Sequence, residues 1–411
     1  MMTIYFVAGE VSADNHGAAL MRALHGLYPT LKFIGRGGPQ MQHVAGAPFK
    51  NWIGDAAVLG LWEVLRKYGY FREQFRLALD EIAKSKPDAV VLIDYPGFNL
   101  RLARALRRQS QRYKTIYYIS PQVWAWNRGR IKNMARFIDL VLCIFPFEAD
   151  LYTISGLRAV FVGHPMIERL ETRKIDTQRD PNLIGLFPGS RSREVRKIFP
   201  VMIEAARLLL QINPGLRFEV AAASHDLASE IQEMMSGATA QQQVIGIKVG
   251  ETAALMQRAW TGIVASGSAT LEAAYFRMPF VLIYKVTWPT YIAARLVVNV
   301  DYLGMPNLLA DKEVVPEFIQ HQAKPASIAK AASLLMEDTN ARDRMISDFD
   351  AIISKLQGEA VSPGSPEHCE GGRPPGRSGN RPSLTGEPGA SDRAAQAILK
   401  EIRKGRSQSF Q

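Results

Sequence analysis

The feature that most constrains the fold of this chain is a repeated alternation of short apolar runs with amphipathic helical patterns. Neighbouring parallel strands need a crossover of about a dozen residues, usually a helix, so the alternation predicts parallel sheets with helices on both faces. The sequence therefore belongs to the α/β class. The expected strands cover residues 3–8, 31–34, 89–93, 115–119, 139–145, 183–187, 217–222, 244–248, 262–265 and 280–284.

A polar segment at residues 171–182, ETRKIDTQRDPN, interrupts the alternation and predicts a linker. We therefore predict two Rossmann-like, doubly wound domains, at residues 1–170 and 183–350. A length of 411 residues also exceeds the usual size of a single hydrophobic core. Because such folds bind ligands outside the carboxyl ends of their strands, we expect the two domains to face a central cleft that holds the site.

The C-terminal part changes in character. Residues 358–391 contain eight Gly, six Pro and five Ser, and this apolar-poor composition predicts a disordered insertion. Residues 392–404 then form a helical pattern with an apolar stripe, and Ser391 is placed to cap it. We expect this last helix to pack back on the fold.

Basic residues exceed acidic ones by 11, and the excess is concentrated between residues 101 and 140. That window holds ten Lys and Arg residues and a single acid, which gives it a net charge of +9. Such a patch favours a polyanion, namely an anionic membrane surface, a phosphorylated substrate or nucleic acid. A solvated helix face is the simpler alternative.

Cysteine content and hydropathy indicate the compartment. Two cysteines, Cys143 and Cys369, are too few for a disulfide framework and favour a reducing environment. No apolar run approaches the roughly 18–20 residues of a membrane-spanning helix, and the first residues lack the positive region of a signal peptide. We expect a soluble, cytoplasmic protein.

Two candidate site turns lie in the first predicted domain. Residues 8–14, AGEVSAD, join a strand to a helix, and Glu10 and Asp14 could bind sugar hydroxyls there. Asp94 ends an apolar strand, where partial desolvation would raise its pKa and suit it to act as a general base. The alternatives are that Asp14 only caps the helix and that Asp94 only stabilises the turn before Pro96.

Two further turns in the second predicted domain are typical of a nucleotide-diphosphate pocket. At the first, Gly189 permits close approach, Ser190 and the following N–H groups can hold phosphate oxygens, and Arg191 supplies positive charge. At the second, small residues precede Glu272, which can accept both ribose hydroxyls; this turn contributes Ser266, Gly267, Ser268 and Thr270. The alternatives are a plain helix cap and a close contact between helix and sheet.

Two aromatic and basic segments are candidate contacts for lipid or acceptor. Residues 58–79 interleave Trp62, Phe71 and other apolar residues with arginines, as membrane-interface helices do, although an ordinary core-facing helix fits equally well. Trp124, Trp126 and Arg128 could contact a sugar or lipid, or could be plain core. No RNA-binding signature accompanies them, so we do not expect a nucleic-acid partner. The scattered histidines give no support for a metal site.

Taken together, the motifs resemble the lipid-A-disaccharide synthases, glycosyltransferases of family 19 with the two-domain GT-B architecture. The resemblance covers about residues 3–350 and the last helix, and Ser-Pro-x-Val-Trp-Ala-Trp at residues 120–126 is its most specific element. Ala13 stands where the family usually has glycine, and the insertion at 358–391 is not typical of it. The other matching segments are 9–14, 35–41, 60–65, 94–99, 145–148, 162–165, 188–191, 266–272 and 305–309.

The resemblance implies an inverting transfer of 2,3-diacylglucosamine from its UDP derivative to 2,3-diacylglucosamine 1-phosphate. It implies no metal and no other cofactor, and association with the anionic inner-membrane surface; a homodimer is also expected. Two alternatives stay open. One is a soluble UDP-sugar enzyme of the same architecture, such as a UDP-N-acetylglucosamine 2-epimerase, and the other is a non-enzymatic nucleotide- or lipid-binding protein.

Within that reaction we assign hypothetical roles to the candidate residues. Asp94 is the expected base, with Glu10 or Asp14 as its nearest rival. Arg191 and the N–H groups after Gly189 and Ser266 would carry the charge of the leaving diphosphate. Glu272 would bind the ribose, and Asn307 the uracil or the diphosphate.

Overall fold

The computed structural model describes residues 1–53, 68–121, 129–236, 245–288, 291, 301–337, 340–358 and 388–408. The chain divides into two compact units. The first comprises Met1–Pro165 together with Leu356–Gln411, and the second comprises Met166–Lys355.

The first unit is built on a seven-stranded parallel sheet in the order β3-β2-β1-β4-β5-β6-β7. Its strands are β1 (Thr3–Ala8), β2 (Lys32–Gly37), β3 (Phe49–Asn51), β4 (Ala89–Ile93), β5 (Lys114–Tyr118), β6 (Leu140–Cys143) and β7 (Ala159–Phe161). Its helices are α1 (Val11–Leu27), α2 (Pro39–Ala45), α3 (Tyr68–Ser85), α4 (Pro96–Arg107), α5 (Gly129–Met134), α6 (Pro146–Ile154) and, at the end of the chain, α15 (Ala390–Gln408).

The second unit repeats the design with a six-stranded parallel sheet in the order β10-β9-β8-β11-β12-β13. Its strands are β8 (Asp180–Phe187), β9 (Arg217–Ala222), β10 (Ile245–Val249), β11 (Ala259–Ala265), β12 (Phe280–Tyr284) and β13 (Glu317–Ile319). Its helices are α7 (Met166–Glu171), α8 (Ser192–Ile212), α9 (His225–Met235), α10 (Thr252–Arg258), α11 (Ser268–Tyr275), α12 (Met305–Ala310), α13 (Pro325–Met336) and α14 (Asn340–Gln357).

The predicted α/β class with two doubly wound parallel sheets is confirmed. Each of the expected strands overlaps a strand of the structure, and the central strands β1 and β4 are buried along almost their whole length because helices cover both faces of the sheet. The short strands β3, β7 and β13 were not predicted. Strand β8 begins at Asp180, so the last three residues of the segment predicted as a linker belong to a strand.

The last helix packs on the first unit, against α1 and β5. It begins at Ala390, so Ser391 lies inside the helix rather than at its cap. The apolar stripe expected from the sequence is buried in this contact and comprises Ala394, Ala395, Ile398, Leu399 and Ile402. The predicted disordered insertion falls almost wholly on residues 359–387, which lie outside the described part of the chain.

A buried carboxylate fastens α15 to the sheet. Glu401 is 2% exposed, and its oxygens lie 3.3 Å from Nζ of Lys114 and 2.9 Å from Nη1 of Arg158. Lys114 begins β5, and Arg158 directly precedes β7. Two cations from the sheet side therefore neutralise one carboxylate of the helix.

Glu401→Gln keeps the shape of the side chain but removes the charge that balances Lys114 and Arg158. We expect the free energy of unfolding, measured in urea, to fall by about 1–2 kcal/mol; breaking a fully buried pair costs roughly 3–5 kcal/mol, and here both cations are partly hydrated. Lys404→Ala, at an exposed position of the same helix, is the control and should change it by less than about 0.5 kcal/mol. Equal effects of the two variants would contradict this role of Glu401.

Candidate active site

Three turns of the first unit meet at the carboxyl edge of its sheet. Ala8 is paired with Ile93, and Ile93 with Tyr118, so the residues that follow β1, β4 and β5 lie side by side at strand spacings of about 4.8 Å. This alignment brings the turn at Glu10 next to Asp94. Both candidate acids come from turns that the sequence indicated.

The backbone at Asp94 has an unusual conformation. Asp94 and Tyr95 both adopt left-handed conformations, with φ of 46° and 49°. The N–H of Asp94 donates to the carbonyl of Tyr118 at 3.0 Å. Its own carbonyl accepts from Nδ2 of Asn99 at 2.7 Å and from the hydroxyl of Tyr117 at 2.5 Å. These bonds fix the backbone that carries the Asp94 side chain at the sheet edge.

The Asp94 carboxyl group has the electrostatic character of a general base. Burial of the side chain, reinforced by the nearby negative charge of Glu10, raises the pKa of Asp94 to about 6. Such a carboxylate is mostly ionised at neutral pH yet is a stronger base than an exposed one. Glu10 itself is exposed and stands at the N-cap of α1 without a side-chain capping bond.

Asp14 has a different environment from the other two acids. It is 2% exposed, and its carboxylate accepts the backbone N–H groups of Gly38 at 2.9 Å, Gln40 at 3.0 Å and Met41 at 2.9 Å. These contacts cap the N-terminus of α2. The geometry therefore gives Asp14 a structural function, and it favours Glu10 as the remaining rival of Asp94.

Aromatic side chains that were not predicted from the sequence pack around the β1 and β4 turns at the carboxyl edge of this sheet. A Cβ at Gly9 would lie 2.4 Å from the Tyr95 ring, so only glycine allows that ring to pack over the β1 turn. The indole Nε1 of buried Trp52 donates to the carbonyl of Ala8 at 2.6 Å. The Trp52 ring also contacts the rings of Tyr95 and Phe98 edge-on. The signal in the sequence was the pair of aromatic residues around Pro96.

The candidate lipid or acceptor residues are only partly described. Trp62, Trp124, Trp126 and Arg128 lie outside the described residues. Phe71 is half-buried on α3, packs against the core of the first unit and contacts Tyr70 edge-on. In this half of the segment 58–79, the structure therefore agrees with the alternative of a core-facing helix.

The first phosphate-binding candidate of the second unit follows β8. Gly189 has φ of 110°, a conformation that favours glycine, and a Cβ there would come within 2.8 Å of Oε2 of Glu194. Ser190 is exposed, and Arg191 stands at the N-cap of α8 with its guanidinium 3.0 Å from Oε1 of Glu194. The exposed Arg191 side chain and the first N–H groups of α8 can together receive an anion.

The second candidate turn follows β11, the neighbour of β8 in the sheet. Phe187 is paired with Val264, which places the turn at Gly189 beside the turn at Ser266. Gly267 has φ of 144°, and α11 begins at the next residue, Ser268. Thr270 is buried, and its hydroxyl donates to the carbonyl of Gly267 at 2.7 Å. Thr270 thus shapes the turn, while the exposed Gly267 and Ser268 face solvent.

Glu272, the candidate ribose ligand, is held by a cation. Its Oε1 lies 2.8 Å from Nη2 of Arg169 in α7, and the side chain is 13% exposed. The ion pair leaves Oε2 of Glu272 available to accept a hydroxyl. Arg169 was not singled out from the sequence, because the predicted boundary placed it at the edge of the first domain.

Asn307, the candidate uracil or diphosphate ligand, is fully buried, and hydrogen bonds occupy its amide. Oδ1 accepts the N–H groups of Val314 at 2.7 Å and Val315 at 2.8 Å, and Nδ2 donates to the carbonyl of Val315 and to Oε1 of Glu317, both at 2.8 Å. Glu317 also accepts the N–H groups of Leu303 and Gly304. This geometry gives Asn307 a structural function, because its side chain ties α12 to the segment before β13.

Among the described residues, no group of three or more His, Cys, Asp or Glu side chains is placed to hold a metal ion. No helix in the same part of the chain is long and apolar enough to cross a membrane.

Comparison with known proteins identifies the family. The family model for lipid-A-disaccharide synthetase matches residues 4–362. A lipid-A-disaccharide synthase of Geobacter sulfurreducens is 38% identical over 361 residues, which cover 86% of this chain and 92% of that protein. One from Myxococcus xanthus is 33% identical over 411 residues, 98% of either chain.

Solved structures support the fold. The structure of a UDP-N-acetylglucosamine 2-epimerase from Rickettsia bellii matches this one with a TM-score of 0.53 and 12% sequence identity. The match covers 87% of this chain and 94% of the epimerase chain. At that identity the likeness shows only that the architecture, with its two parallel sheets, is GT-B-like.

Asn307→Ala should destabilise the protein because it removes four hydrogen bonds and leaves buried polar groups unpaired. We expect the free energy of unfolding in urea to fall by about 2–4 kcal/mol, with Asn182→Ala, at an exposed position, as the control. If Asn307→Ala left stability unchanged and weakened only the binding of UDP, Asn307 would be a ligand contact instead.

Proposed function

We propose, because the chain belongs to the lipid-A-disaccharide synthase family, that it transfers 2,3-diacylglucosamine from UDP-2,3-diacylglucosamine to the 6-hydroxyl of 2,3-diacylglucosamine 1-phosphate. The products are a β-1,6-linked disaccharide 1-phosphate and UDP. The observation that carries the proposal is the family match over residues 4–362. A basic carboxylate at one sheet edge and two glycine turns at the other agree with the chemistry.

The proposed reaction inverts the anomeric centre in one displacement, so it requires a base for the acceptor and stabilisation of the leaving group. Asp94 takes the proton of the 6-hydroxyl as that oxygen bonds to the anomeric carbon. The bond from the anomeric carbon to the diphosphate oxygen breaks, and its electron pair leaves with UDP. A base with a pKa of about 6 supports this role.

The leaving diphosphate carries negative charge that the second unit would receive. The N–H groups at the starts of α8 and α11 follow turns in which Gly189 and Gly267 keep the backbone open to a ligand. Arg191 adds a delocalised positive charge. Glu272 accepts the ribose hydroxyls through its free oxygen.

We also propose that the protein is cytoplasmic and associates peripherally with the anionic inner-membrane surface. Exposed arginines of α4 and the following turn support this proposal, because they add positive charge to one element: Arg101, Arg104, Arg107 and Arg108. Each Lys or Arg near an anionic lipid surface contributes roughly 1 kcal/mol of electrostatic attraction to it. A homodimer stays a prediction.

The purified protein in detergent should release UDP from UDP-2,3-diacylglucosamine only when the 1-phosphate acceptor is present. Coupled detection of UDP, with chromatography of the disaccharide, measures both products. Release of UDP without acceptor, or isomerisation of the UDP-sugar, would contradict the transferase and favour a hydrolase or an epimerase.

Asp94→Asn should lower kcat/KM by about 10²–10⁴-fold, because the base can no longer accept a proton. In the wild type, kcat/KM should fall as pH drops through about 6, since Asp94 becomes protonated there. Glu10→Gln removes a charge that raises this pKa, so the acid limb of the profile should move to lower pH while activity at pH 8 is retained. The opposite pattern, with Glu10→Gln inactive and Asp94→Asn active, would make Glu10 the base.

Sedimentation with vesicles tests the membrane proposal. The protein should bind vesicles that contain phosphatidylglycerol but not pure phosphatidylcholine, and about 0.5 M salt should release it because the screening length falls to a few ångströms. The double variant Arg101→Glu/Arg108→Glu should weaken binding to these vesicles. The control double variant Arg207→Glu/Lys330→Glu, on the second unit, should not. Binding that is insensitive to salt would refute the electrostatic part of the proposal.

A further inference from the structure

A cavity of about 580 Å³ in the second unit has no part in the reaction derived above. It lies at the carboxyl edge of the sheet. Lys285, in its wall, directly follows β12, whose Ile283 is paired with Ala265, and so Lys285 lies level with the turn at Gly267. Lys197, also in the wall, is on α8, about 8 Å along the helix axis from Ser192. The cavity is therefore next to the phosphate-binding turns.

Three lysines line this cavity: Lys197, Lys285 and Lys324. Lys197 and Lys285 are half-buried. Within the described residues, no carboxylate forms an ion pair with any of these three lysines. A partly desolvated ammonium group without a counter-charge is costly, so the cluster favours an anionic ligand.

The rest of the wall is apolar. Val201 is buried, and Val286 and the ring of Trp288 add apolar surface; Trp288 is 58% exposed and contacts only Tyr291 edge-on among the ring pairs of the described chain. An exposed tryptophan next to aliphatic groups is a surface that a ligand's hydrocarbon part would cover.

The wall is held in place before any ligand arrives. The side-chain amide of buried Gln320 accepts the N–H of Val286 at 2.7 Å and donates to its carbonyl at 3.2 Å. This two-point contact ties the segment after β12 to the turn that follows β13. A preorganised wall loses less entropy when it binds a ligand.

We propose that this cavity binds an acylated sugar phosphate, with the three lysines on the phosphate oxygens and the acyl chain along Val201, Val286 and Trp288. The proposal rests on the proposed function, since both substrates, the UDP-linked donor and the 1-phosphate acceptor, have this chemistry. It adds a subsite that the turns at Gly189 and Ser266 do not supply.

The test measures the steady-state kinetics of three variants. They are a double variant that combines Lys285→Gln and Lys324→Gln, the single variant Trp288→Ala, and a control, Lys330→Gln, at an exposed position outside the cavity. The lysine double variant should raise KM for one acylated substrate about tenfold. A rise for the UDP-sugar assigns the lysines to the donor, next to the turns proposed to hold its diphosphate, and a rise for the 1-phosphate assigns them to the acceptor. Trp288→Ala should raise KM more for long-chain than for short-chain substrates.

Calorimetry with 2,3-diacylglucosamine 1-phosphate and with UDP-2,3-diacylglucosamine, and thermal unfolding of each variant, complete the experiment. If the wild type transfers sugar and the cavity variants match Lys330→Gln in both KM values, the subsite is refuted while the proposed function stands. If the wild type transfers no sugar, the proposed function fails, but the calorimetry still tests the subsite. Weaker binding by the cavity variants than by Lys330→Gln would support the subsite. Equal binding would overturn it. A fall in affinity with an unchanged unfolding temperature is the expected result.

Discussion

Two side chains that donate to a single carbonyl oxygen set the geometry of the first unit's site. Asn99 and Tyr117 both bond the carbonyl of Asp94, at 2.7 and 2.5 Å. They hold two consecutive left-handed residues, each of which costs about 1–3 kcal/mol. This turn allows α4 to start at Pro96 while the Asp94 carboxyl group stays at the sheet edge. It also directs the Tyr95 ring over Gly9, which links the β1 and β4 turns.

The two units use the same architectural rule for different chemistry. In both, turns with positive φ follow neighbouring parallel strands and leave the backbone accessible at the carboxyl edge. The edge of the first unit carries acids, Glu10 and Asp94, and that of the second carries Arg191 and helix N-termini. Proton removal needs a negative group and a departing diphosphate needs positive ones, so the division of charge between the units matches the two requirements of the proposed transfer.

Much of this arrangement could be predicted from the sequence, because buried parallel strands are continuous apolar runs and the turns after them must lie at one edge. The short strands β3 and β7 were missed because each has only three residues and lies at an outer edge of its sheet, where the apolar pattern is weak. Asp14 and Asn307 show a different limit. Whether a polar side chain meets a ligand or a distant backbone N–H depends on contacts that sequence spacing does not encode.

The C-terminal helix shows how a distant segment completes a local structure. Arg393 donates from Nε to the carbonyl of Val162 and from Nη2 to that of Gln357, each at 2.8 Å. A Cβ at Gly163 would come within 2.1 Å of that guanidinium, so glycine is required for the contact. The N–H of His164 meanwhile bonds the carbonyl of Leu356 at 3.0 Å. The chain leaves the first unit after Pro165 and returns to it at Leu356. Within the first unit, Arg393 and the bond of His164 hold these two chain segments together. The residues between 358 and 388 therefore connect two fixed points, and the helix that follows them is part of the structure that fixes both.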